Sequence, residues 1–296
     1  FSAKIPISPN RMVILLGSFL MGIIVPFLTI YIADLLDTKV KTRKDIESRF
    51  RVPFLGDVPK SLSKGEKLTP GSRSSLAEAL RIIRTNLEFM LTSAIKGRAK
   101  TIFITSTLPK EGKTFVSINL SKTIAFTGKK VLLLGMDLRN PKLHKYLSLP
   151  GKEGVTDYLI TPGAKLDSYI VKMPGFENLF VLPSGSIPPN PAENLMTDKM
   201  EEMFEDLKLM FDYIVVDTVP SSIVTDTFLL AKHSDAFVYI VRANQLDKRK
   251  LYFLENYVTD GRLPNLGIVL NGTNNNLSYG YGQEIEKKSI FQRLRY

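Results

Sequence analysis

The chain has 296 residues, 44% of them hydrophobic and 23% charged, with a formal net charge of +11, a balance ordinary for a globular protein of one large or two small domains. It contains no cysteine and two histidines, His144 and His233, which excludes disulfides, thiolate metal sites and a histidine-rich metal centre. The excess of lysine and arginine points to phosphate-bearing partners (nucleotides, nucleic acid or anionic lipid) above a background of solvated surface charge.

The chain opens on Phe1 rather than Met and reads as a fragment of something longer. Residues 12–33, MVILLGSFLMGIIVPFLTIYIA, carry no charge. At ~1.5 Å per residue a helix of that length reaches ~33 Å, enough to cross a bilayer core. A signal peptide would have a shorter apolar stretch and a small-residue cleavage site. A buried core helix is the competing reading, and Pro26 inside the stretch is tolerated in a membrane helix. Only Lys4 and Arg11 lie on the amino side, whereas Lys39, Lys41, Arg43, Lys44, Arg49 and Arg51 follow on the other. The positive-inside rule therefore puts everything after the span in the cytoplasm, and the same cluster suits anionic headgroups. The expected division is an extracytoplasmic juxtamembrane end over 1–11, the span over 12–33, a basic linker over 34–75, a cytoplasmic domain over 76–272 and a mobile tyrosine-bearing tail over 273–296.

Residues 52–75, rich in proline, glycine and serine, read as part of that linker. SSLAEALRIIRTNLEFML has apolar residues at helical spacing, and Ser75 with Glu78 forms a capping pattern. Short apolar runs then alternate with helical patterns. TIFITS, KKVLLLGMD, LFVLPSG, FDYIVVDT, DAFVYIVRA and LGIVLNG read as strands. KTFVSINLSKTIAFTG, residues 192–210, DTFLLAKHS and DKRKLYFLENYVTDG read as helices. Continuous apolar strands alternating with helices imply an α/β fold with a parallel sheet covered on both faces, and ligands of such sheets bind at the carboxyl ends of the strands.

The motifs fall on that edge. TLPKEGKT, residues 107–114, follows the first strand and opens a helix, the context of a phosphate-binding loop, although Thr107 stands where the first glycine of the usual pattern would be. Backbone N–H groups and the helix dipole would face an anion there, Lys113 would reach the β- and γ-phosphates, and the Thr114 hydroxyl would coordinate Mg²⁺. Thr107, Pro109, Lys110, Glu111, Gly112, Lys113, Thr114 and Phe115 are thus the candidate ATP-binding residues. The second strand delivers Asp137 and Arg139, and the carboxylate could hold Mg²⁺ or orient an attacking hydroxyl, while an Asp–Arg pair stabilising a turn is the plainer alternative. The fourth strand ends in Asp217, the second acidic partner for the metal. Lys113, Asp137 and Asp217 are the candidate catalytic residues, with Thr114, Asp137 and Asp217 the candidate Mg²⁺ ligands; Asp226 and Asp235 read as caps of a helix and a strand.

Taken together, an apolar span, a modified P-loop, an aspartate on the second strand, an aspartate closing an apolar strand and a tail with Tyr279, Tyr281 and Tyr296 resemble the bacterial tyrosine kinases of capsule and exopolysaccharide export, the BY-kinase family, over nearly the whole chain. ISPN before the span, Glu78-x-x-Arg81-x-x-Arg84 and LPSGSIPPNPAENL also resemble that family's segments. The resemblance implies a P-loop NTPase fold of the MinD/ParA kind, ATP and Mg²⁺ as cofactors, the tail tyrosines as phosphoacceptors, and a ring of copies assembled through Glu78, Arg81 and Arg84. It also implies residence in the bacterial inner membrane, an external domain with an earlier span before Phe1, a polysaccharide export machinery and a tyrosine phosphatase as partners, and no nucleic acid.

The chain departs from the pattern in places. Lys110 replaces a loop glycine, tolerable if residue 110 avoids positive φ. Gly135 replaces the first aspartate of an Asp-x-Asp motif, and Val219 replaces a proline. Loss of the carboxylate leaves open a nucleotide-binding scaffold without kinase activity. A MinD/ParA-type ATPase is a third reading, opposed by the span, the tail and Leu108 in place of that group's extra lysine.

Overall fold

The structure, a computed structural model, describes residues 11–60, 68–95, 97–149, 151, 153–221 and 226–274. The tail tyrosines and the ISPN segment lie outside the described residues. Among the described residues eight strands form one sheet: β1 Phe54–Pro59, β2 Lys100–Ser106, β3 Val131–Gly135, β4 Val171–Lys172, β5 Leu179–Leu182, β6 Tyr213–Asp217, β7 Ala236–Arg242 and β8 Leu266–Thr273, ordered β1-β8-β7-β2-β6-β3-β5-β4. All neighbours are parallel except β4 and β5. The sheet is therefore mixed at one edge, where two residues of β4 fold back on β5.

Among the described residues the α-helices are α1 Arg11–Leu36, α2 Arg43–Glu47, α3 Ser75–Met90, α4 Lys113–Ala125, α5 Leu143–Leu147, α6 Val155–Ile160, α7 Pro191–Asn194, α8 Asp198–Met210, α9 Asp226–Leu229 and α10 Tyr252–Thr259. Each sheet face carries its own apolar core. On one face Ile102, Ile104, Leu133 and Val215 pack with Leu80, Ile83 and Leu87 of α3 and Val116, Leu120 and Ile124 of α4. On the other, Phe103, Leu132, Ile214, Phe237 and Tyr239 pack with Met203, Phe204 and Leu207 of α8 and Leu254 of α10. Alternate residues of one strand serve opposite cores, which is why the central strands read as unbroken apolar runs.

α1 buries none of its residues against the protein, so the core-helix reading does not hold. Among the described residues it is the one helix long and apolar enough to cross a membrane.

Several elements differ from expectation. Residues 34–75 are more than a linker: β1 pairs with β8 inside the sheet, and Val40, Ile46 and Phe50 are buried in the main core. Thr38 to Val40 are strapped to the turn after β7 by Val40 N to Leu246 O (2.8 Å), Asn244 N to Val40 O (2.8 Å) and Lys248 N to Thr38 O (2.7 Å). The folded domain therefore begins well before residue 76. The helix expected over 192–210 breaks in two because the Thr197 side chain caps a new start, accepting from Met200 N. α3 is capped by Ser74, which accepts from Ala77 N, rather than by Ser75. The helix expected from residue 247 begins as a 3₁₀ turn, Lys248–Leu251, capped by Asp247.

Candidate active site

β2, β3 and β6 end side by side, with Asp217 opposite both Ile104 and Gly135, so the loops that leave them converge. The turn from β2 to α4 is set by two residues with positive φ, Lys110 (68°) and Gly112 (96°). Gly112 is needed for a second reason: a Cβ there would come within 2.1 Å of Asn271 Nδ2. Asn271, at the end of β8, braces the loop by donating to Glu111 O (2.8 Å), and Arg242, at the end of β7, donates to Lys110 O (3.2 Å). Lys110 thus takes the left-handed conformation that the sequence reading asked it to avoid. For a residue with a Cβ this costs ~1–2 kcal/mol, and the two bonds from neighbouring strands hold it there.

The eight loop residues divide into two groups. Pro109, Lys110, Gly112, Lys113, Thr114 and Phe115 line a cavity of about 700 Å³ at the carboxyl edge of the sheet. Thr107 and Glu111 do not; both are fully buried. Thr107 Oγ1 shares a hydrogen bond with Tyr239 OH (2.9 Å). Glu111 Oε2 accepts from Leu108 N (2.6 Å), while its Oε1 is buried without a partner. Their side chains brace the loop from beneath, Thr107 against Tyr239 of β7, so any part they take in holding a ligand falls to their backbone.

Lys113 is buried and forms no ion pair among the described residues. Burial pushes its ammonium below the usual range, against the pull of Asp217, Asp137 and Glu111. Asp217 accepts from Thr114 Oγ1 (2.7 Å) and Ser117 Oγ (3.1 Å). Burial raises it to about 6, opposed chiefly by the Thr114 hydroxyl and Lys113. Asp137 lines the cavity and accepts from Asn140 N through Oδ1 (2.9 Å), and burial raises it as well. The structure thus brings Lys113, Thr114, Asp137 and Asp217 together. Among the described residues no three acidic or histidine side chains cluster as an all-protein metal cage.

The Asp137–Arg139 pair does not form. Arg139 instead makes a bidentate pair with buried Asp226 at 2.8 and 3.0 Å, locking α9 to the end of β3. Asp235 does cap a strand, accepting from Thr101 N (2.7 Å). At Gly135 a Cβ would lie 2.8 Å from Leu143 Cδ1 and 2.9 Å from Ser184 N; the space an aspartate needs is occupied by α5 and the loop after β5. Lys60, Arg242, Asn271, Gly272 and Tyr146 line the cavity without having been singled out. Applying the carboxyl-edge rule to β7 and β8 would have found Arg242, Asn271 and Gly272, whereas Lys60 follows a strand that the sequence does not mark. On α3, Glu78 pairs with Arg81, Arg81 also donates to Ser72 O (2.7 Å), and Arg84 donates to Thr123 O (3.4 Å).

A family model described as an AAA domain matches residues 99–256. The chain is 31% identical over 221 residues to the tyrosine-protein kinase YwqD of Bacillus subtilis, covering 75% of this chain and 91% of that one. It is 29% identical over 282 residues to the tyrosine-protein kinase ptk of Acinetobacter johnsonii, covering 90% of this chain and 37% of that one. It therefore spans about two fifths of the longer relatives it matches. Among solved structures it resembles the kinase domain of the Escherichia coli tyrosine kinase ETK, with a TM-score of 0.70 at 25% identity over 82% of this chain and 99% of that one. It also resembles the chimerical protein CapA2B2, with a TM-score of 0.69 at 29% identity over 79% of this chain and 100% of that one.

Proposed function

The chain belongs to the bacterial P-loop tyrosine kinase (BY-kinase) family, and from that premise we propose that it is an ATP-dependent tyrosine autokinase whose phosphoacceptors are Tyr279, Tyr281 and Tyr296 in its own tail. The observation that carries the reading is Lys113: a buried ammonium without an ion pair, in a cavity it shares with Thr114, Asp137 and Asp217. A buried cation needs an anionic partner, and a loop whose glycine admits no Cβ lets a phosphate chain approach the backbone.

In this reading Lys113 and the amides at the start of α4 hold the β- and γ-phosphates of ATP. Thr114, Asp217 and Asp137 are the donors for Mg²⁺, a hard cation that takes oxygen ligands and commonly shares them with substrate phosphates; the ion supplies charge neutralisation on the phosphates. Asp137, its basicity raised by burial, orients the tyrosine hydroxyl and takes its proton as the phenolic oxygen bonds to the γ-phosphorus. The bond to the bridging oxygen breaks and ADP leaves. Arg139 is held away from this role by Asp226.

Gly272 lines the cavity and the described chain ends at Asn274, so the tail starts at the rim of its own site. Transfer in trans rests on ring assembly through Glu78, Arg81 and Arg84. The cycle of phosphorylation and assembly would regulate polysaccharide chain length and export at the bacterial inner membrane, with α1 as the anchor and the remainder in the cytoplasm. A second reading, a nucleotide-binding scaffold without transfer, is favoured by the filled space at Gly135.

The experiment mixes full-length Lys113→Met, tail intact, with an active copy whose three tail tyrosines are phenylalanine, in the presence of ATP and Mg²⁺, and reads phosphotyrosine by mass spectrometry. Phosphate on the tail of the Lys113→Met copy is expected. Its absence from the mixture, with phosphate on the wild-type chain alone, overturns transfer between copies; absence from both overturns the kinase reading.

A further inference from the structure

The larger of the two main cavities has no part in the chemistry above. It is a groove of about 760 Å³ at the opposite, amino edge of the sheet, where Lys100 opens β2 and Tyr213 opens β6. Five cations line it: Arg84, Arg98, Lys100, Lys129 and Lys130. Its two acids are already engaged. Glu88 holds Lys100 Nζ (2.8 Å) and accepts from Tyr213 OH, and Asp212 accepts from Lys130 N (2.8 Å). Arg84 and Lys129 form no ion pair among the described residues, whereas Arg98 pairs with Glu205 while its buried Nε has no acceptor. Leu91, Ile95 and Met210 supply an apolar wall beside these cations. Cations beside an apolar wall fit a ring that bears a phosphate.

The chain supplies such a ligand outside the described residues. Segment 275–286 carries Tyr279, Tyr281, Glu284 and Glu286, and no lysine or arginine. Each phosphate adds about −1.5 to −2, so two phosphates take the segment from −2 to roughly −5 or −6. Reach decides whose segment it is. Seven residues from Asn274 to Tyr281 extend at most ~25 Å. The strands between the two edges are seven or eight residues long, ~23–26 Å at ~3.3 Å per residue, and the segment would also have to round the sheet.

We infer that the amino-edge groove is a docking site for the phosphorylated 275–286 segment of a neighbouring copy. The inference rests on the autokinase reading only for the source of the phosphate. Arg84 lies in this groove and in the helix assigned to ring contacts, so an occupied groove competes with the ring for the same guanidinium.

The test uses the full chain in non-ionic detergent with ADP and Mg²⁺ saturating the nucleotide site, and follows the anisotropy of a labelled synthetic 275–286 peptide with phosphate on both tyrosines. The phosphopeptide should bind at least about tenfold more tightly than its unphosphorylated form. Lys129→Glu should remove that preference, and Lys172→Glu, an equal charge change on exposed β4, should leave it intact. Equal binding of the two peptides, insensitivity to Lys129→Glu, or Lys129-dependent capture of phosphatidylglycerol vesicles in place of the peptide overturns the inference. Because the peptide is synthetic, a chain that transfers no phosphate still gives a result here, and failure of this test leaves the autokinase reading untouched.

Discussion

Glu111 sits three residues before Thr114 yet faces the protein interior, and burial raises its carboxyl to about 7, with the Leu108 amide pulling the other way. An acid with a raised folded pKa stabilises the fold below its unfolded value, near 4.5, and loses that contribution as pH rises through 7. At ~1.4 kcal/mol per unit the slope amounts to about 3 kcal/mol. Glu111→Gln should therefore be more stable than the parent at pH 8 by about 2–3 kcal/mol and nearly equal to it at pH 5, as read by chemical denaturation. A difference that does not change with pH would contradict the account. At Gly135 the reasoning is steric. Gly135→Asp should lower stability by about 1–3 kcal/mol, because its Cβ meets Leu143 and the Ser184 backbone, and should not accelerate phosphoryl transfer. An unchanged melting temperature with faster transfer would show that the site merely lost a carboxylate. Neither effect was legible in the sequence: Glu111 lies inside a phosphate-loop motif, and only its neighbours from β7 and β8 turn it inward.

At the scale of elements, the juxtamembrane stretch carries most of the surprise. Its strand FLGDVP contains a glycine and an aspartate, ends in Pro59 and follows Pro53, so neither alternation nor an apolar run marks it. What makes it a strand is the free edge of β8, visible only once the sheet exists. β4 was equally hidden, since two residues carry no periodicity. The strap of Thr38 to Val40 runs from α1 to the turn after β7, whose last residue, Arg242, holds the phosphate loop at Lys110. Val40 is fully buried, and Val40→Ala should cost about 2 kcal/mol. Hydrogen exchange should show the loss locally, at the Asn244 amide, which donates to Val40, and the Lys248 amide, which donates to Thr38, while the β7 core amides keep their protection. Loss spread evenly over β7 would mean that the strap opens only when the whole core does, and would contradict a local role.

For the molecule as a whole, the sheet was legible because its central strands are buried on both faces and read as continuous apolar runs. The candidate site was half legible. Lys113, Thr114, Asp137 and Asp217 stand in recognisable loops, while Lys60, Arg242 and Asn271 come from strands far apart in sequence that the order β1-β8-β7-β2 sets side by side. Part of the basic excess gathers in two places on the fold, the carboxyl-edge cavity and the cationic groove at the opposite edge.

The central claim is that the carboxyl-edge cavity transfers phosphate from ATP to tyrosine. The most direct measurement follows the γ-phosphate itself: the purified full chain is given γ-labelled ATP with Mg²⁺, and label on protein is compared with label released as inorganic phosphate. The account predicts label on tyrosine in the parent chain and a fall of at least about a hundredfold in Lys113→Met. Label recovered only as inorganic phosphate, or tyrosine labelling that survives Lys113→Met, would contradict it.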